Sequence, residues 1–110
     1  MKAILLDKAK VIRSKNAGPY ELTFDMMFET ANDMWDFFDS LNAARVSQQL
    51  GVEPAAIRNI IAFPPAMAVK ITILRPRPSG DPGETDVYGA QQHAPWLHYS
   101  YETEDNDAAH

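Results

Sequence analysis

Cysteine is absent from this chain of 110 residues. That absence excludes a disulfide framework, a thiol nucleophile, an iron–sulfur cluster and a Cys-type zinc site, and it leaves the redox compartment open. Histidine is scarce, with His93, His98 and His110 the full set. No two of them stand at helical spacing, so neither a metal site nor a cofactor is expected. Long apolar runs are missing as well. Ala3–Leu6 is apolar but stops at Asp7 and Lys8, too short for a secretory segment, and nothing approaches the roughly 20 apolar residues that span a bilayer. The expectation is a cytoplasmic protein with no membrane partner.

What is present is one domain's worth of chain, long enough to bury a core without metals or crosslinks. The net charge is −5, but it is unevenly spread. Residues 1–19 carry five cations and one acid, whereas residues 102–110 carry four acids and no Lys or Arg. A basic leader, a mildly acidic body and an acidic tail result. Residues 1–101 are expected to form a single α+β domain, with 102–110 a disordered tail, since nothing from Thr103 onward is large and apolar.

Ala9–Ile12 is a short β-prone run, and Arg13-Ser14-Lys15-Asn16-Ala17-Gly18-Pro19 after it is too polar and turn-rich to continue a strand. Tyr20–Phe28 alternates, with Tyr20, Leu22, Phe24 and Met26 on one face and Glu21, Thr23 and Asp25 on the other. That pattern is a half-buried strand. Thr30 then caps a helix with Asp33 in its first turn, and Met34, Phe37, Phe38 and Leu41 form the stripe that packs on the sheet. A second helix, Ala43–Leu50, ends at Gly51, and Glu53-Pro54 opens one further turn. Ile57–Phe63 is an apolar strand broken by Pro64-Pro65, and Ala66–Leu74 is its hairpin partner. Arg75–Asp86 reads as a long surface loop, Val87–Ala94 as at most one helical turn, and Trp96–Tyr101 as the last strand. Without its first short strand this order is the βαββαβ plan of a ferredoxin-like sandwich with a reduced second helix.

Four segments carry candidate chemistry. Ala44–Arg58 has the spacing of a DNA-binding helix-turn-helix, yet Arg58 is the lone cation of the would-be recognition helix and Glu53 stands at its mouth. Phosphate neutralisation needs several cations, so no nucleic-acid partner is expected, and a turn burying Leu50, Val52 and Ile57 is the plainer reading. Arg13, Ser14, Lys15, Asn16 and Gly18 offer two cations, a hydroxyl, an amide and free backbone N–H groups at a strand end. They form either an anion-binding nest or a turn in which Asn16 and Gly18 supply left-handed geometry. Arg75 and Arg77 aim two guanidinium groups to one side of a stiff extended segment, for an anion, a partner subunit, or solvent alone. Tyr88, Gln91, Gln92 and His93 form the last group, in which His93 is a candidate acid–base catalyst or a structural loop histidine.

The runs Arg13–Tyr20, Pro78–Gly83 and Asp86–Pro95 resemble the family catalogued as domain of unknown function 4387, over about residues 8–101. That family is similar to the ferredoxin-fold domain that accompanies proteins of the acyclic-terpene-utilisation protein A type. The resemblance implies a small subunit working with a larger catalytic partner, and it marks Ser14, Lys15, Asn16, Gly18, Pro19, Tyr88, Gly89, Gln91, Gln92 and His93 as signature positions without assigning roles.

The resulting expectation is an accessory subunit of a two-component enzyme of lyase, hydratase or isomerase type acting on a small carboxylate or acyl thioester. Arg13, Lys15, Arg75 and Arg77 would hold the anion, and Asn16, Gln91, Gln92 and His93 would orient it. A stand-alone anion-binding protein or enzyme, and an assembly module that self-associates through a sheet edge, are the alternatives.

Overall fold

A computed structural model describes residues 2–18, 20–74 and 94–103. In chain order these form strand β1 (Lys2–Ile4), the one-turn helix α1 (Leu5–Lys8), β2 (Ala9–Asn16), β3 (Glu21–Phe28), helices α2 (Ala31–Ser40) and α3 (Ala43–Leu50), then β4 (Ile57–Phe63), β5 (Ala68–Leu74) and β6 (Ser100–Glu102). Short 3₁₀ turns occupy Pro54–Ala56, Pro64–Ala66 and Ala94–His98. The class is α+β. Four strands pair antiparallel in the order β2-β3-β5-β4, and β1 pairs with β6 in a separate two-stranded sheet.

The helix signals in the sequence work as expected. Thr30 Oγ1 accepts from the Asp33 backbone N–H at 3.1 Å; Asn42, not singled out in the sequence, caps α3 by accepting from Arg45 N–H at 2.9 Å. Gly51 ends α3 at φ +69°, a conformation that glycine adopts without a Cβ penalty. Met34, Phe37 and Val46 from these helices join Leu22, Phe24, Met26, Phe28, Val69, Ile71 and Ile73 in one core on one face of the sheet. Leu50, Val52 and Ile57 pack against it, and Ile57 starts a strand rather than continuing a recognition helix.

Three expectations are corrected. β2 does not stop at Ile12 but runs four residues further, through Arg13, Ser14, Lys15 and Asn16. Pairing with β3 outweighs the weak propensity of those residues, because an edge strand tolerates charge on the face away from the core. The turn that follows is confined to a hairpin closed by Ala17 N–H donating to Glu21 C=O at 2.9 Å, with Gly18 at φ +127° and Tyr20 exposed.

The second correction concerns the end of the chain. Trp96–His98 lies in a 3₁₀ turn, and only Ser100–Glu102 is strand, paired with β1 instead of joining the main sheet. A strand from Trp96 would put Trp96 and Tyr99 on opposite faces, whereas a 3₁₀ turn stacks residues three apart on one side. Trp96, Tyr99 and Tyr101 are all buried in consequence, with their rings 6.0, 5.7 and 5.6 Å from Phe37. The edge place beside β3, which the βαββαβ plan gives to its last strand, is held by β2. Glu102, counted with the acidic tail from the sequence, is the final residue of β6, and residues 104–110 lie outside those described.

The third correction concerns the second face of β3. Thr23 and Asp25 are buried despite lying opposite Leu22, Phe24 and Met26.

Candidate functional site

Antiparallel pairing places facing residues on the same side of a sheet, so the register fixes which side chains share the face away from the core. One row across it is Lys15, Thr23, Thr72, Asn59; the next is Arg13, Asp25, Lys70, Ile61; the third is Val11, Met27, Ala68, Phe63. Successive rows are about 7 Å apart along the strands. The first two rows are mainly polar and the third is apolar. Hydroxyls, an amide and an ammonium give way to a charged row and then to an apolar one.

Asp25 anchors the middle row. Its Oδ2 lies 3.5 Å from Arg13 Nε, directly across the β2–β3 ladder, and Lys70 faces it from β5. Thr23 and Thr72 bring their Oγ1 atoms to 3.5 Å in the row beside it. Only one of two hydroxyls can donate in such a contact. Arg13, Lys15 and Lys70 set against Asp25 leave the groove lining two positive charges in excess, and Glu21, on the same face of β3 one row beyond Lys15, brings the excess on the face down to one, in a chain whose net charge is −5.

These residues line an open depression of about 370 Å³ formed by Arg13, Lys15, Asp25 and Lys70 on one side and Met27, Ala68, Ala66, Ile61 and Phe63 on the other. That volume lies at the lower end of the range for small-molecule sites. Ile61 and Phe63 are 47% and 56% exposed, large apolar side chains presented to solvent at the groove. Its apolar end abuts the β4–β5 connection, where Met67 adopts φ +50°, ψ +45°, a left-handed conformation that a residue with a side chain seldom takes. The turn is held from both sides, with Met67 N–H donating to Pro64 C=O and Met67 C=O accepting from Phe28 N–H, each at 2.9 Å.

The sequence candidates separate on this frame. Arg13 and Lys15 come together on the open face. Ser14 and Asn16 turn to the other face, facing Phe24 and Leu22 across the ladder, and Gly18 belongs to the hairpin turn. β-strand alternation therefore splits the side chains of Arg13 and Lys15 from those of Ser14 and Asn16. Pro19, Arg75, Arg77, Tyr88, Gly89, Gln91, Gln92 and His93 lie outside the described residues. Asp25, Lys70, Met27, Ile61 and Phe63 were missed. Asp25 stood on the polar face of an alternating strand, and Lys70 interrupted an apolar one, but only the pairing of β2, β3, β5 and β4 brings them together.

A second depression, about 330 Å³, is lined by Arg45, Gln48, Gln49, His98, Tyr99 and Ser100. Its cation is already engaged, with the Arg45 guanidinium 5.6 Å from the Tyr99 ring centre and Nη2 donating to Ser100 C=O at 3.4 Å. Among the described residues no group of three His, Asp or Glu side chains could hold a metal ion, and no helix is long and apolar enough to cross a membrane.

The chain matches no curated protein and no solved structure. A family model described as a domain of unknown function, DUF4387, matches residues 5–100, and the chain belongs to that family.

Proposed function

We propose that this protein is the small, site-completing subunit of a two-component cytoplasmic enzyme whose larger subunit is of the acyclic-terpene-utilisation protein A type. Its chemistry is lyase, hydratase or isomerase chemistry on a small carboxylate or acyl thioester, with the larger subunit supplying the reacting groups. The architecture on this reading is a ferredoxin-like sandwich in which β2 takes the edge left by the displaced last strand.

One observation carries the proposal. The open face of the sheet combines an excess of cations with exposed Ile61 and Phe63 around a shallow groove, and folding alone requires neither. Two copies of the chain packed through this face would bring like charges together, so charge complementarity favours an unlike, anionic partner. A groove open on one side becomes a water-excluding site when a second surface closes over it.

Co-expression with a protein of that type tests the reading. The expected outcome is a stable complex that Phe63→Asp with Ile61→Asp disrupts, and turnover that requires both chains. No complex, with the larger protein equally active alone, overturns it.

A further inference from the structure

We infer that the groove on the open sheet face binds an amphiphilic carboxylate, an acid group carried on a short hydrocarbon chain, with the acid over the cationic rows and the chain along the apolar row. The inference rests on the reading of this groove as a site and goes further, naming its ligand class and the residues that select it.

Three features of the face converge. First, Lys15, Arg13 and Lys70 surround a carboxylate, Asp25, that neutralises one of them, and with Glu21 one row beyond Lys15 on the same face a single positive charge is left for a small anion. Arg13 is held by its ion pair with Asp25, so Lys15 and Lys70 are the side chains that meet the ligand's acid. Second, the neighbouring row ends in Met27, Ala68 and Phe63, with Ile61 beside them and Ala66 closing the end. A purely inorganic anion would gain nothing from these side chains, and an uncharged hydrocarbon nothing from the lysines. A ligand with both parts uses the whole groove, aligned along the strands, its two ends separated by the roughly 7 Å between rows. Third, Ala66 and Ala68 at the apolar end flank Met67, whose left-handed backbone the fold holds against its intrinsic cost, and such outliers cluster at ligand sites.

The test uses the full chain and three straight-chain acids, acetate, hexanoate and decanoate, with hexanol as the uncharged control, read by titration calorimetry and by ligand-dependent melting. Affinity is expected to rise with chain length, by about two- to fourfold per methylene laid on the apolar row, and hexanol is expected to show no binding at the concentrations where hexanoate binds. Lys70→Gln and Lys15→Gln are each expected to weaken hexanoate severalfold. Asp25→Asn is expected to tighten it, an effect that non-specific adsorption of the hydrocarbon would not show. Phe63→Ser flattens the chain-length dependence while leaving acetate unaffected, and Ile61→Ser serves where that variant does not fold.

Binding without chain-length dependence, or indifference to both lysine substitutions, overturns the inference. So does binding confined to anionic phosphatidylglycerol vesicles, which would make the face a membrane surface. Complex formation with the larger subunit is measured separately. A complex without carboxylate binding defeats this inference alone, and carboxylate binding without a complex defeats the subunit assignment alone.

Discussion

Arg13 and Asp25 face each other across β2 and β3, Nε to Oδ2 at 3.5 Å, with the guanidinium side chain 57% exposed and the carboxylate side chain 11% exposed. The asymmetry decides what each substitution does. Arg13→Ala leaves a nearly buried carboxylate short of a partner and is expected to cost about 1–2 kcal/mol, well under the figure for a fully buried pair. Asp25→Asn leaves an exposed guanidinium that water solvates, so its cost is smaller. The double variant is expected to be more stable than the sum of the two single losses implies, as urea midpoints of all four proteins will show. Strict additivity would mean that the two side chains do not act as a pair.

The same pair shows why the site was only partly legible in the sequence. Local signals are short-range physics, and they were read correctly. Thr30 caps, Gly51 takes a positive φ, and Pro64-Pro65 separates β4 from β5. The extent of β2 is not legible locally because a strand is stabilised by its neighbour, and the neighbour of Arg13 is 12 residues away across a hairpin. Once β2 is extended, period-two alternation sends Arg13 and Lys15 one way and Ser14 and Asn16 the other, which no composition argument could show. Lys70 required a second pairing, β3 with β5, and the separate β1–β6 sheet a third. The motif of Tyr88, Gln91, Gln92 and His93 falls outside the described residues.

Phe37 is the hub of the core's aromatic cluster, with ring centroids of Phe28, Tyr101, Tyr99 and Trp96 at 5.5 to 6.0 Å. It joins α2 to β3, to the 3₁₀ turn before β6 and to β6 itself. Phe37→Ala is expected to cost about 3–5 kcal/mol, a large part of the stability of a domain this size. Phe37→Leu fills more of the space but lacks the edge-to-face geometry, and is expected to cost less than half as much. Chemical denaturation followed by tryptophan fluorescence measures both, since Trp96 reports on the cluster. A loss under 1 kcal/mol for Phe37→Ala would mean that the cluster collapses to fill the cavity.

Tyr101 and Tyr99 present a contrast in the same cluster. Tyr99 OH meets Ser40 Oγ at 3.0 Å, whereas the buried Tyr101 OH, like Trp96 Nε1, has no hydrogen-bond partner among the described residues. Burial, and then the charges of Asp33, Asp36 and Tyr99, push the Tyr101 phenol well above its ordinary value. The folded protein therefore keeps a proton that the unfolded chain releases near the usual tyrosine value of about 10. The stability linked to this group is complete below that pH and is lost as pH rises above it, by up to about 1.4 kcal/mol per pH unit. Tyr101→Phe is expected to remove this share of the alkaline slope. Below pH 9 or so it is expected to be neutral or stabilising by up to about 1 kcal/mol, because it deletes an unpartnered buried hydroxyl. Parallel slopes for the two proteins up to about pH 11 would show that Tyr101 does not titrate abnormally.

Met67 lies between the groove-lining Ala66 and Ala68, so its substitution tests whether the β4–β5 turn matters to the groove. Its left-handed backbone, at φ +50° and ψ +45°, costs a residue with a side chain about 1–2 kcal/mol relative to glycine, and glycine returns about 0.5–1 kcal/mol of that through the greater freedom of its unfolded chain. Met67→Gly is thus expected to raise stability by a few tenths to about 1 kcal/mol, less the packing lost with a side chain that is 37% exposed. Both hydrogen bonds of the turn involve main-chain atoms of Met67, so the substitution leaves them intact. If the turn serves only to connect β4 and β5, the stabilised variant will bind hexanoate as the parent does. If the methionine is retained for the apolar end of the groove, the variant will melt higher and bind decanoate more weakly, with acetate unchanged. Melting temperature and decanoate affinity measured on the same preparation separate these outcomes, and a fall in melting temperature would show that the side chain stabilises the turn more than its backbone conformation strains it.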